Sequence, residues 1–115
     1  MKTRLMHVRV NVRNLDKAIH WYSEVLGFEL DSLWPPDAPV YADFHFQEGA
    51  VFSIGVAETV PCGVRFNFSI QDVDAFWEHL KDKVEIVEPL FDTPYGTRKF
   101  TLRDLDGNEL GFSRG

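Results

Sequence analysis

The side chains able to do chemistry in this 115-residue sequence mostly sit at every second position of short runs. His7, Arg9 and Asn11 alternate with Val8, Val10 and Val12; Arg65, Asn67 and Ser69 alternate with Phe66, Phe68 and Ile70; Lys99, Thr101 and Arg103 flank Phe100 and Leu102. On a strand, such alternation sends the polar groups to one face and the apolar groups to the other. Ser53, Glu109 and Gly111 fall in the same phase on two further runs, and Asp43 and His45 on another. Hydroxyls, guanidiniums, an amide and a carboxylate in this arrangement can hold a small polar molecule. His7 adds a side chain of the type that titrates near neutrality and can act as a general base. Trp34, ahead of two prolines, and Tyr95, within Pro94-Tyr95-Gly96, offer aromatic faces that either stack on a planar ligand or anchor their own loops.

The elements that must position these groups follow from periodicity and turn chemistry. Leu5 to Val12 reads as a strand covered on one side. Asn14 is an N-cap, and Leu15, Ala18, Ile19, Tyr22, Val25 and Leu26 recur at helical spacing until Gly27. Trp21 falls just off that stripe. Phe28 to Leu33 reads as a strand, Trp34 to Pro39 as a loop, and Tyr41 to Gln47 with Ala50 to Val56 as a hairpin turning at Glu48-Gly49. After a linker, Ala57 to Gly63, the pattern starts again. Val64 to Ile70 is a strand, Asp72 an N-cap, and Val73, Phe76, Trp77 and Leu80 a buried helical stripe with Trp77 in the core. Val84 to Val87 reads as a short strand, Glu88 to Thr97 as a long loop, and Lys99 to Ser113 as a closing hairpin around Asp104-Leu105-Asp106-Gly107-Asn108.

A shift of 58 residues carries Asn14 to Asp72, Leu15 to Val73 and Ile19 to Trp77 with the strand polarity in phase. The chain is therefore expected to be an α+β protein of two tandem βαβββ modules, about 1–57 and 63–115, within a single domain 1–115. Eight strands should form an incompletely closed mixed sheet. Each module seals one sheet face with its helix and leaves the other polar, which predicts a polar cleft between the modules.

Composition narrows the classes of function. A single cysteine, Cys62, argues against an internal disulfide framework and fits a reducing compartment. No apolar run approaches membrane-spanning length and no signal-peptide block is evident, so a cytoplasmic location is expected. The formal net charge of −6 disfavours nucleic acid and gives no reason to expect a membrane partner. Locally, however, Arg9, Arg65 and Lys99 share the polar face with Glu109 and Asp43. Because screening removes most influence beyond about 8 to 10 Å, an anionic or aromatic small molecule suits this face better than a cation.

The tandem βαβββ pattern, the phrase Asn14-Leu15-Asp16-Lys17-Ala18-Ile19-His20-Trp21-Tyr22 followed by Val25-Leu26-Gly27-Phe28, and the tail Arg103-Asp104-Leu105-Asp106-Gly107-Asn108 resemble the vicinal oxygen chelate superfamily. That superfamily includes glyoxalase I, extradiol dioxygenases and bleomycin resistance proteins. The resemblance implies the glyoxalase/bleomycin resistance fold. In the metal-dependent branches it also implies a divalent ion held by a His on the first strand of each half and a Glu on the last. Those positions correspond to His7, Arg65, Ser53 and Gly111. Arginine cannot coordinate a metal, glycine has no side chain, and a neutral serine is a poor ligand, so no metal and no cofactor are expected. A shifted site built from His7, Glu109 and either Asp43 or His45 is the alternative.

The phrase Pro94-Tyr95-Gly96-Thr97-Arg98-Lys99 is similar to the loop of the bleomycin resistance branch, with Tyr95 where a Trp is common. The resemblance thus implies a metal-free small-molecule binding protein, a homodimer, with antibiotic resistance among its roles. The competing reading is a lyase, isomerase or dioxygenase-like enzyme using a non-standard metal site or His7 as base. A third is an interaction module that binds no small molecule.

Overall fold

The computed structural model describes residues 1–58 and 64–114; Cys62 and most of the expected linker lie outside the described residues. The chain divides into two units, Met1–Thr59 and Val60–Gly115, each a four-stranded mixed sheet with a short helix. In the first unit β1 (His7–Val12) is followed by α1 (Leu15–His20), a π-helical turn over Trp21–Val25, β2 (Glu29–Trp34), β3 (Tyr41–His45) and β4 (Val51–Val56). In the second, β5 (Arg65–Ser69) leads to α2 (Val73–Leu80), β6 (Glu85–Asp92), β7 (Arg98–Arg103) and β8 (Glu109–Arg114). The sheet orders are β1-β4-β3-β2 and β5-β8-β7-β6, so the eight expected strands are present as two open sheets.

The register repeats with the sequence. His7 pairs with Val51 and Arg9 with Ser53 in the parallel β1–β4 ladder, while Arg65 pairs with Glu109 and Asn67 with Gly111 in the parallel β5–β8 ladder. The same 58-residue offset carries the Asp43–Ser53 pair onto Thr101–Gly111. Parity then fixes the faces. Val10, Val12, Ala42, Phe44, Phe52 and Ile54 turn to the helix side and are buried in the first unit; Phe100, Leu102, Leu110 and Phe112 are fully buried in the second.

Both helices start as their sequences require. The Asn14 side chain accepts from the Lys17 N–H and the Asp72 side chain from the Ala75 N–H, each at 3.0 Å. The first helix then departs from the expected uniform stripe. Beyond His20 it widens into the π-helical turn, closed by a Leu26 N–H to Trp21 carbonyl bond of 3.2 Å. The widening lets adjacent Trp21 and Tyr22 both be buried, edge to face at 5.0 Å, with Tyr22 also packed against Phe28, Phe44 and Phe52. Trp21 is thus a core residue. Trp77 is only half-buried, because Val73 and Leu80 occupy the centre of the α2 stripe and leave Phe76 and Trp77 flanking it against Phe100.

Two strand assignments also change. Trp34 ends β2, paired with Tyr41, instead of opening a loop. The expected loop after Val87 is largely strand, since β6 runs to Asp92 with register shifts on either side of Glu88. Pro89 is accommodated because β6 is the edge strand of its sheet. Those shifts break the period-two pattern, and a broken period reads as a loop.

Candidate ligand-binding faces

On the first sheet's polar face, three strands deliver a chain of hydrogen bonds. Ser53 on β4 is fully buried and donates its hydroxyl proton to an Asp43 oxygen on β3, while Ser32 on β2 donates to the other Asp43 oxygen at 3.0 Å. His7 Nε2 lies 2.7 Å from the Ser53 oxygen. A hydroxyl has one proton, and here the carboxylate takes it, so the bond from His7 must be donated by Nε2–H. That assigns the lone pair of a neutral His7 ring to Nδ1. Serine occupies the middle of this chain, so His7 does not activate it as a nucleophile.

Beside that chain, Arg9 crosses the strands diagonally. Its guanidinium carbon stands 4.9 Å from the Tyr41 ring centroid, a cation–π contact, and the group lies where a Cβ at Gly55 would be. Gly55 is required there for close approach rather than for its backbone angles. Trp34, 56% exposed, is the cross-strand neighbour of Tyr41 on the same face. Asn11 projects from the same face at the register position of Gly55, and His45 ends β3 opposite Glu29.

The second sheet's polar face is organised by ion pairs. Arg65 donates to Glu88 at 2.7 Å through Nη1 and to Glu109 at 3.0 Å through Nη2. Arg103 reaches Glu85 at 3.1 Å and Glu109 at 3.6 Å, and Lys99 Nζ is 4.0 Å from Glu88. Cations and carboxylates therefore alternate across β5 to β8. Thr101, fully buried, donates to Glu88 at 2.7 Å. That bond, with help from the Arg65 and Lys99 charges, holds the Glu88 carboxyl below its ordinary value of 4.5 against a smaller opposing effect of burial. Asn67 lies over Gly111, its amide oxygen occupying the space a Cβ there would need.

The structure thus gathers His7, Asp43 and Ser53 into one cluster, sets Arg9 over Tyr41 with Trp34 at the register position beside it, and gathers Arg65, Lys99, Thr101 and Glu109 around Glu88. Tyr95 is apart from these groups, 75% exposed in the turn between β6 and β7. Sequence reasoning missed Tyr41, Gly55 and Glu88. The 58-residue shift could have flagged the first two, because it sets them against Lys99 and Ser113, where the halves differ in chemistry. Glu88 was hidden by the irregular pairing of β6.

The model of the Glyoxalase/Bleomycin resistance protein/Dioxygenase superfamily matches residues 4–112. The chain belongs to that superfamily. A relative described as a probable trivalent organoarsenical cleaving enzyme of Bacillus subtilis (strain 168) is 33% identical over 119 residues, spanning 95% of this chain and 78% of the relative. TioX from Micromonospora sp. ML1 superposes with a TM-score of 0.79 at 27% identity, covering 97% of this chain and 98% of TioX. A lactoylglutathione lyase from Agrobacterium tumefaciens shares the fold, with a TM-score of 0.77 at 17% identity over 100% of this chain and 96% of its own.

The divalent ion used by metal-dependent members of the superfamily does not fit the residues at the corresponding positions. Arg65 is a permanent cation engaged by Glu88 and Glu109; Gly111 has no donor and the space beside it is taken by Asn67; Ser53 already bridges Asp43 and His7. Among the described residues, no three His, Cys, Asp or Glu side chains group so as to hold a metal ion. No helix among them is long and apolar enough to cross a membrane.

Proposed function

We propose that this member of the superfamily binds a small molecule on its polar sheet faces without a metal of its own. The observation that carries this reading is the fate of the second unit's ligand positions, where Arg65 is locked between Glu88 and Glu109 and Asn67 fills the space at Gly111. A metal placed beside a fixed guanidinium would meet repulsion and find no donor from the second unit, while in the first only His7 is a strong ligand, since Ser53 is a neutral hydroxyl already engaged. Electrophilic catalysis by a resident ion therefore has no support from this residue set.

Metal content is the deciding measurement. Tag-free protein purified without chelator and challenged with nickel, zinc, iron and manganese is expected to retain well under one equivalent of any of them by elemental mass spectrometry. Near one equivalent of a single metal, lost in His7→Ala, would overturn the reading.

A second reading is favoured by the His7–Ser53–Asp43 chain and by the relative named as an organoarsenical cleaving enzyme. Here His7 is a metal-free general base oriented by Ser53: Nδ1 takes a proton from a water that attacks arsenic and returns it to the carbon as the C–As bond breaks, with no change of oxidation state. Nitrogen NMR of the neutral ring should then find the proton on Nε2 in the wild type, and Ser53→Ala should erase that preference. Turnover of an organoarsenical such as phenylarsine oxide, abolished by His7→Ala with no metal present, would favour this reading over simple binding.

A further inference from the structure

The two polar faces have diverged in one respect that bears on ligand choice. On the second unit every arginine of the face has carboxylate partners, so the face is internally neutralised. On the first unit Arg9 is exposed, and among the described residues no carboxylate pairs with it. The nearby Asp43 carboxylate already accepts from Ser32 and Ser53 on separate oxygens.

Arg9 is also pre-oriented. Its guanidinium rests on the Tyr41 ring and lies across Gly55, where a side chain would displace it. A guanidinium held by its flat face keeps its in-plane N–H groups free for the two-pronged bond that carboxylates accept. Trp34, half-exposed, is the register partner of Tyr41 on the neighbouring strand and shares its face. The corresponding positions of the second unit are Asn67, Lys99 and Ser113, so this platform occurs in one half only.

The geometry points to the Arg9–Tyr41–Trp34 platform as the recognition site for a flat aromatic carboxylate, with Arg9 gripping the carboxylate and Trp34 stacking on the ring. This rests on the small-molecule binding reading above and assigns its specificity to the first unit. Gly55 is a positioning residue, because it makes room for the guanidinium.

The test uses 2-naphthoate against the full chain, followed by NMR of the Arg9 Nε–H and Trp34 Nε1–H signals, with 2-naphthylmethylamine as the cation of similar shape. Naphthoate should move both signals and the amine neither. Arg9→Gln should weaken naphthoate binding at least tenfold. Gly55→Ala keeps the charge and an ordinary backbone but pushes Arg9 aside, so it should match that loss, whereas Arg114→Gln, exposed at the end of β8 and off both polar faces, should change nothing. Trp34→Leu should weaken binding several-fold. Amide spectra of each variant establish that it is folded.

Equal affinity for the amine, unchanged binding in both Arg9→Gln and Gly55→Ala, shifts confined to the second unit, or no binding of naphthoate at all would each overturn the inference. If naphthoate fails while a screen of neutral and cationic compounds finds a ligand, the binding reading stands without it. If the protein instead retains an equivalent of metal through His7, both fall.

Discussion

Glu88 shows how much one carboxylate can hold together. It accepts from Thr101 and Arg65 at 2.7 Å each and joins β6 to β7 and β5 across an irregular register. Its carboxyl lies below 4.5 in the folded protein, foremost because of the Thr101 hydroxyl. A group depressed in this way contributes stability that is fully present above the unfolded value of about 4.5, and that is lost as the pH falls through the folded value. Glu88→Gln should therefore lower stability at pH 7 and flatten its decline below pH 4.5, as read from urea midpoints across pH. Charge-assisted bonds can contribute more, but a side chain 35% exposed is screened by water, so a loss of about 1 kcal/mol is expected at neutrality. A residue's type is visible in a sequence; its partners are not. His7 and Arg65 were identifiable as chemically able, but that one would donate to a buried serine and the other be held by two glutamates depended on strand register.

At the level of elements, regular pieces were legible and irregular ones were not. The two caps, the β7–β8 hairpin and the parity of six strands follow from local chemistry that each segment carries alone. Asp72→Ala should cost about 1 kcal/mol in chemical denaturation, because the Ala75 N–H loses its acceptor, while Asp72→Asn should restore most of it. The π-helical turn and β6 were misjudged for a common reason. In each, tertiary packing outweighs the local period: burial of Trp21 beside Tyr22 widens a helix, and the shifts around Glu88 and Pro89 preserve an edge strand whose alternation has gone. Trp34 is a related case, since two following prolines suggest a loop, yet its pairing with Tyr41 keeps it in β2, one strand over from the ring that Arg9 rests on.

For the molecule as a whole, the duplication was the most legible feature because it is written twice. The offset that relates Asn14 to Asp72 in sequence reappears in the ladders, down to the pairs His7–Val51 and Arg65–Glu109. The copies diverge on their polar faces: an exposed arginine resting on Tyr41 in one half and a closed set of charges in the other. Family membership alone would not distinguish these, since one scaffold serves many chemistries.

The repeated pairing of first strand with last has a mechanical consequence. In each unit the chain enters on β1 or β5 and leaves on β4 or β8, and these strands run parallel. Tension applied at the two ends of a unit therefore slides the strands past each other and loads their whole row of hydrogen bonds together, instead of opening it one bond at a time. An unfolding machine that pulls the chain from one end would have to shear the first such clamp before gaining slack, and would then meet a second of the same kind.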